Sequence, residues 1–152
     1  PPPACVIEIE QIKQLQAKYF RLLDNKRWTE LRGVLTKDFQ WQSEDPSLAS
    51  QRSLAAFMTF VSTQYADAVT VHQGHMPETT ISGSSATGIW SILDWVDVTK
   101  TRPQERSYRG FGHYHVHYAK AGMGSWQIRE IRVTRLKVDP LTPAAAASNQ
   151  KP

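Results

Sequence analysis

The chain has 152 residues, of which 40% are hydrophobic and 10% aromatic, and its formal net charge is +4. A chain of this length forms one domain with a substantial core, and this apolar content excludes disorder over the whole length. Basic residues are spread among acidic ones rather than massed in a stripe, so we expect no nucleic-acid partner. No apolar run is long enough to cross a bilayer, so we expect no membrane insertion.

The ends of the chain differ in composition from the middle. The first residues, Pro1 to Cys5, lack a basic segment followed by a long apolar stretch, so no signal peptide is visible. The single cysteine, Cys5, cannot form an internal disulfide, which fits a reducing compartment. We therefore expect a cytoplasmic protein with a flexible N-terminus (1–6), a domain (7–139) and a disordered Pro- and Ala-rich tail (140–152).

Three helices are predicted in the first half of the chain. From about Val6 to Asn25, apolar residues recur at helical spacing, and Asn25 favours an end there because Asn tolerates the left-handed conformation. A second helix is predicted over about 28–35 and a third over about 47–65. A short strand over 39–41 lies between them.

The second half of the chain is predicted to be almost entirely strand. Strands are predicted over 68–75, 79–82, 86–98, 108–119 and 126–138, separated by polar or Gly-containing turns. Helices followed by consecutive strands indicate an α+β domain, in which a curved, mostly antiparallel sheet packs against about three N-terminal helices. Such a sheet leaves a cone-shaped pocket that suits a small apolar ligand.

Five segments, in this order, resemble the SnoaL-like branch of the nuclear-transport-factor-2-like (NTF2-like) superfamily. They are YFRLLDNKRW (19–28), VHQGHMPE (71–78), ATGIW (86–90), GFGHYH (110–115) and WQIREIRVTRL (126–136). That branch includes scytalone dehydratase, bile-acid dehydratase, hexachlorocyclohexane dehydrochlorinase and polyketide cyclases. The resemblance implies the NTF2-like cone, although that fold hosts enzymes, ligand binders and protein adaptors alike.

The same resemblance implies a set of catalytic residues. The aspartate at the end of the first helix falls on Asp24, the tyrosine before it on Tyr19, and the strand histidine on His72. An arginine on the last strand falls on Arg132, or on Arg135 if the register shifts. A carboxylate bonded to an imidazole fixes the ring tautomer and stabilises the imidazolium that forms on proton abstraction. The alternative for each of these residues is a structural role, such as a surface Asp at a turn or a core Tyr.

Further side chains are predicted to line a substrate pocket: Trp41, Phe57, Tyr65, Trp90, His113 and His115. His113, His115 and His117 alternate, so they project from one face of a strand, and which of them faces the pocket stays open. Their spacing permits a metal site, but no further ligand is evident, and the related enzymes imply none. We therefore expect no metal and no other cofactor, with a solvent-facing or interface-facing row of histidines as the alternative.

Together these residues predict a cofactor-independent lyase or isomerase, of the dehydratase or cyclase type. Its substrate would be a small hydrophobic, oxygenated metabolite such as a polyketide, terpenoid or steroid. His72, paired with Asp24, would abstract a proton, while Tyr19 and Arg132 would hold the developing oxyanion. The alternative is a non-catalytic ligand-binding or adaptor module of the same fold. An exposed sheet face with several aromatic residues also predicts a homodimer or homotrimer.

Overall fold

Three helices pack against one five-stranded sheet in the computed structural model, which describes residues 3–141. The helices are α1 (Pro3–Asp24), α2 (Trp28–Gly33) and α3 (Leu54–Gln64). The strands are β1 (Leu35–Ser43), β2 (Val69–Ser82), β3 (Ser85–Asp97), β4 (Tyr108–Lys120) and β5 (Trp126–Pro140). Among the described residues, no helix is long and apolar enough to span a membrane.

The sheet is mixed and open, in the order β1-β5-β4-β3-β2. From β2 to β5, each strand pairs antiparallel with the next one in the chain, whereas β1 pairs parallel with β5. Two register shifts interrupt the pairing of β4 with β5, and such bulges bend a sheet and increase its twist. The predicted α+β class, with a curved and mostly antiparallel sheet, is confirmed.

The core lies between the helices and the inner face of the sheet. Along β3 and β4, every second residue is buried over most of the strand, because successive side chains point to opposite faces. Helix α1 completes this core with buried side chains at helical spacing: Ile12, Leu15, Tyr19, Leu22 and Leu23. The inner strand face and the helix stripe therefore enclose one continuous interior.

Several helix boundaries differ from the sequence prediction. Helix α3 begins at Leu54 rather than near residue 47, because the hydroxyl of Ser53 caps it by accepting a hydrogen bond from the backbone N–H of Ala56. Helix α1 begins at Pro3, earlier than the predicted start near Val6. It ends at Asp24, and the left-handed residue that follows is Lys26, not Asn25.

The two strands predicted over 68–75 and 79–82 form one long strand, β2. Its pairing with β3 shifts between His75 and Glu78, where Met76 has a φ of 41°. A bulge interrupts the ladder locally, so the strand continues past Pro77. At the other end of the chain, β5 reaches Pro140, and residues 142–152 of the predicted tail lie outside the described residues.

Candidate active site

An aspartate and a histidine meet where the end of α1 lies against β2. Oδ1 of Asp24 lies 2.7 Å from Nδ1 of His72. Oδ2 of the same carboxylate accepts a 2.8 Å hydrogen bond from the backbone N–H of His72. Because a carboxylate only accepts, Nδ1 carries a proton, so in the neutral ring Nε2 is the unprotonated nitrogen.

The Asp24–His72 pair is largely shielded from solvent. The side chain of His72 is 4% exposed and that of Asp24 is 20% exposed. The imidazole stacks on the ring of Phe20, with centroids 6.3 Å apart and planes 7° apart. A helix C-terminus disfavours a negative charge by roughly 0.3–1 kcal/mol. The hydrogen bonds that Asp24 accepts from His72 and from the hydroxyl of Thr70 offset this cost.

A small cavity lies beside His72, between the sheet and the helices. Its volume is about 10 Å³, which is room for roughly one water molecule. Its lining is largely aromatic and includes Tyr19, Trp41, Phe57, Phe60, Tyr65, Tyr108 and Tyr114. In this structure, aromatic side chains therefore occupy most of the space in front of the imidazole.

A larger cavity of about 200 Å³ adjoins the first one. Both cavities are lined by Leu48, Phe60, Tyr65 and Tyr108, so these side chains form the wall between them. Phe60 and Leu48 are only partly buried. Displacement of these two side chains would join the two spaces and give His72 a route to the surface.

A buried ion pair supplies the other charged groups of the small cavity. Asp94 lies directly opposite His72 on β2 and Gly110 on β4, so these residues share the inner face. Arg135 donates from Nη1 and Nη2 to the two oxygens of Asp94 at 2.5 and 2.8 Å. Their side chains are 11% and 5% exposed, respectively. A Cβ atom at Gly110 would clash with both, so the glycine provides the space that the pair occupies.

The electrostatics of this pair keep the guanidinium charged. Burial alone lowers the pKa of Arg135, but the hydrogen bonds and charge of Asp94 outweigh burial, and the net shift is upward. The carboxylate in turn neutralises most of the field of the guanidinium inside the cavity. The small cavity therefore holds a charged donor without a large net charge.

The phenols around the small cavity stay protonated at neutral pH. Burial raises the pKa of Tyr19, and the negative charge of Asp24 raises it further. Burial also raises the pKa of Tyr65 and Tyr114 well above the usual value of 10, and that of Tyr108 to about 12. The cavity wall therefore offers neutral hydroxyl groups that donate hydrogen bonds but do not act as bases.

The other residues predicted for the pocket divide between the cavity and the rest of the core. Tyr19, Trp41, Phe57 and Tyr65 line the small cavity. Trp90 does not line either cavity; its Nε1 donates a 2.9 Å hydrogen bond to the hydroxyl of Tyr118. Trp90 also lines a separate groove of about 720 Å³, together with Phe20, Asp24 and His72.

Arg132, His113 and His115 lie on the face of the sheet opposite the cavity. The two histidines alternate along β4 with the buried Tyr114 and Val116. For Arg132 the reason is a bulge in β5: Ile128 pairs with Tyr118 and Glu130 with His117, so Arg129 is skipped. An extra residue moves every later side chain to the other face. Arg132, expected beside the apolar side chains, is consequently exposed, and Arg135 faces the cavity instead.

The outward histidines lie against polar neighbours. Nε2 of His115 lies 3.1 Å from the hydroxyl of Thr134. Burial lowers the pKa of His115, and the charges of Arg132 and His113 lower it further. Within residues 3–141, no group of three or more His, Cys, Asp or Glu side chains is arranged to hold a metal ion. His113 and His115 therefore contact neither the cavity nor the Asp24–His72 pair.

Comparisons with known proteins agree with this architecture. A family model described as the SnoaL-like domain matches residues 6–132. A proposed scytalone dehydratase from Novosphingobium aromaticivorans superposes with a TM-score of 0.77 at 17% identity, covering 97% of this chain and 96% of that one. Hexachlorocyclohexane dehydrochlorinase from Novosphingobium barchaimii gives 0.75 at 15% identity, with coverage of 91% and 93%.

A third similar structure is described by its fold. An NTF2-like protein with a cystatin-like fold, from Novosphingobium aromaticivorans, superposes with a TM-score of 0.69 at 18% identity. The match covers 95% of this chain and 88% of that one. At such identities these likenesses show the fold alone. The predicted NTF2-like architecture is confirmed.

Proposed function

Because this chain belongs to the SnoaL-like domain family, we propose that it is a cofactor-independent lyase or isomerase that removes a proton from carbon. The observation that carries the proposal is the hydrogen-bonded pair formed by Asp24 and the buried His72, whose imidazole lines the small cavity. A surface aspartate at a helix end would not need three hydrogen bonds, two of them from one histidine. The arrangement is that of a general base with a carboxylate behind it.

The first step is abstraction of a proton from a carbon next to a carbonyl group. Nε2 of His72 takes the proton, and the C–H electron pair moves into the carbonyl to form an enolate. The carboxylate of Asp24 stabilises the resulting imidazolium through Nδ1. General base assistance of this kind accelerates proton transfer by about 10²–10⁴-fold.

The enolate oxygen needs a hydrogen-bond donor, and Arg135 offers one. Nη1 and Nη2 of Arg135 are engaged by Asp94, whereas its Nε is buried and has no acceptor among the described residues. A buried donor without a partner is costly, and a substrate oxygen would satisfy it. Since Asp94 neutralises the guanidinium, the cavity suits a neutral carbonyl oxygen better than a carboxylate. The hydroxyl of Tyr19 is the second donor, because burial and the charge of Asp24 raise its pKa and keep the phenol protonated.

The fate of the abstracted proton decides the overall reaction. If the imidazolium returns the proton to a β-hydroxyl group, that group leaves as water and an alkene forms, which is a dehydration. If the proton returns to a different carbon, the product is an isomer. Attack of the enolate on a second carbonyl of the same molecule gives a ring. All three outcomes use the same base, so we propose the dehydratase or cyclase type.

The cavities favour a substrate of one or two rings. The two adjoining spaces measure about 10 and 200 Å³, below the roughly 300–1,000 Å³ that is usual for drug-sized ligands. A small polyketide or terpenoid would fit after displacement of Phe60 and Leu48. A steroid would require a larger rearrangement of the wall.

A non-catalytic binding or adaptor module is the second candidate. The observation that favours it is the size of the space beside His72, which aromatic side chains leave at about 10 Å³. An adaptor needs no substrate cavity, and a filled interior would suit it. The two candidates differ in whether the imidazole exchanges protons with a bound carbon acid.

Deuterium exchange tests the proposal without knowledge of the natural substrate. The protein is incubated in D₂O with α-tetralone or cyclohexanone, and loss of the proton signals next to the carbonyl is followed by NMR. We expect exchange above the buffer rate, with His72→Ala and Asp24→Asn slower by about 10²-fold or more. His113→Ala, on the outer face, is the matched control and should leave the rate unchanged. If the folded His72→Ala variant exchanges the probes as fast as the wild type, the proposal is wrong.

A further inference from the structure

Helix α1 ends in a left-handed turn that is occupied by a lysine. The backbone N–H of Arg27 donates to the carbonyl of Leu22 at 2.9 Å, and that of Lys26 donates to the carbonyl of Leu23 at 3.1 Å. These are the two hydrogen bonds of a Schellman motif. Its left-handed position, where glycine is the usual residue, is held by Lys26 with a φ of 59°. A lysine there carries conformational strain, so interactions of its side chain must offset the energetic cost.

The side chain of Lys26 is tied to the candidate base through one intermediate. Its Nζ donates a 2.8 Å hydrogen bond to Oγ1 of Thr70. The hydroxyl of Thr70 donates a 3.0 Å hydrogen bond to Oδ1 of Asp24. The same carboxylate oxygen receives the ring proton of His72 at 2.7 Å. A continuous chain of hydrogen bonds thus runs from Lys26 to the imidazole.

The direction of each hydrogen bond follows from the donor chemistry of lysine. An ammonium group only donates, so the oxygen of Thr70 must accept from Lys26. The one hydroxyl proton of Thr70 is then available only to Asp24. That bond sets the rotamer of the carboxylate and aims Oδ1 at Nδ1 of His72. Without the lysine, the hydroxyl would be free to turn away.

We propose that Lys26, acting through Thr70, is a positioning residue that holds Asp24 against His72. The inference rests on the proposed function, because it assigns a role within the same proton-transfer site. It assigns a role in proton transfer to the turn after α1, and Lys26 in that turn lines neither of the two cavities. Lys26 therefore acts on the orientation and basicity of the imidazole and not on substrate binding.

The charged groups around Lys26 are few. Asp24 faces it from the end of α1, Asp67 from the turn before β2, and the ring of Tyr65 lies 5.9 Å from its Nζ. Burial lowers the pKa of Lys26, and the charges of Asp24 and Asp67 oppose that shift. The two carboxylates thus favour the ammonium form of Lys26 beside the imidazole.

The effect of this cation on the base has a definite sign. A positive charge disfavours protonation of a neighbouring imidazole. On the cavity side of the imidazole, the charges of Asp94 and Arg135 largely cancel. Removing the ammonium group should therefore move the acidic limb of the kcat/KM profile to higher pH.

The experiment compares two substitutions that remove the same contact. Lys26→Gly and Lys26→Met both delete the hydrogen bond to Thr70, but only glycine relieves the left-handed strain. We expect the glycine variant to be the more stable of the two in urea unfolding. We expect both to lose about tenfold or more in kcat for deuterium exchange, with KM unchanged and the acidic limb shifted upward. If activity merely followed stability, the two variants would differ in rate.

Three further variants complete the test. Lys26→Arg keeps a cationic donor and should recover part of the rate. Thr70→Val breaks the chain but keeps the cation, so it should lower kcat with little shift of the pH profile. Lys18→Met changes an exposed lysine on α1 that has no contact with the pair, and it should behave like the wild type.

The results separate this inference from the proposed function. If His72→Ala abolishes exchange while Lys26→Gly and Lys26→Met match Lys18→Met in rate and pH profile, the positioning role is wrong and the base remains. If His72→Ala is as active as the wild type, the proposed function itself fails. The ¹⁵N resonances of the His72 ring give a readout that needs no turnover. They should shift in both Lys26 variants and stay unchanged in Lys18→Met; no shift in the Lys26 variants would overturn the inference.

Discussion

Removal of Asp94 should destabilise the protein strongly. Its carboxylate pairs with both terminal nitrogens of Arg135, and the two side chains are only 5% and 11% exposed. Asp94→Ala would leave the guanidinium buried without its partner. Breaking a buried ion pair from one side costs about 3–5 kcal/mol. Against a total stability of roughly 5–15 kcal/mol, that is a large fraction.

The expected change in melting temperature follows from the size of the domain. For a chain of about this length, each kcal/mol lowers Tm by roughly 2–4 °C, so Asp94→Ala should lower it by about 6–20 °C. The double variant Asp94→Ala, Arg135→Met should recover part of the loss, because no charge is then left unpaired. The cost of the double variant should be smaller than the sum of the two single ones.

Urea unfolding followed by circular dichroism measures these differences. Asp139→Ala is the matched control, because Asp139 pairs with Arg109 across β4 and β5 where the side chains are 24% and 41% exposed. An exposed pair contributes only about 0–1 kcal/mol. If Asp94→Ala lowers the free energy of unfolding no more than Asp139→Ala does, the Asp94–Arg135 pair is hydrated. The cavity beside His72 would then be open to water, contrary to the shielding of the Asp94–Arg135 pair.

Two further predictions concern the phenols and the wall of the cavity. Burial raises the pKa of every tyrosine in the chain, that of Tyr108 to about 12. The stability that comes from neutral phenols is therefore fully present below pH 10. It is lost as the pH rises through the pKa values of the folded state. A spectrophotometric titration should therefore show tyrosinate only as the protein unfolds, whereas a native-state transition near pH 10 would mean that the phenols are exposed. Phe60→Ala should join the two cavities, so KM for α-tetralone should fall relative to that for cyclohexanone. An equal change for both probes would place the entrance elsewhere.

The general architecture could be predicted from the pattern of the chain. Helical spacing before residue 65 and alternation after it were enough to place helices on one face of a sheet. The predicted start of α3 is wrong because a helix start depends on a cap: Ser53 provides one, whereas residues 47–52 precede it and are not helical. The continuity of β2 was missed because Pro77 is ordinarily a strand breaker, and a bulge at Met76 accommodates it.

Alternation alone could not show which side chains of β5 face the cavity. One skipped residue, Arg129, reverses the sides of the residues up to the next bulge at Leu136, so Arg132 points outward and Arg135 inward. Nothing in the local sequence marks that bulge. Asp94, in contrast, had a visible signal, because it is a lone acid in the apolar run Ile92 to Val96 and such a residue needs a partner. That partner, Arg135, lies 41 residues away in the chain.

The contact between Asp24 and His72 depended on resemblance rather than on physical pattern. A carboxylate at a helix end and a histidine in a strand, 48 residues apart, do not by themselves predict a 2.7 Å contact. The role of Lys26 had no sequence signal at all, because its left-handed φ and its bond to Thr70 exist only in the folded chain. Tertiary packing decides both.

The proposed mechanism requires Asp24 to hold the imidazole of His72 with its proton on Nδ1, so that Nε2 is free to take a proton from carbon. Long-range ¹H–¹⁵N NMR of the histidine rings measures this directly. In the wild type, the neutral ring of His72 should carry its proton on Nδ1, and Asp24→Asn should lose that single tautomer. A ring protonated on Nε2, or a tautomer mixture that Asp24→Asn leaves unchanged, would contradict it.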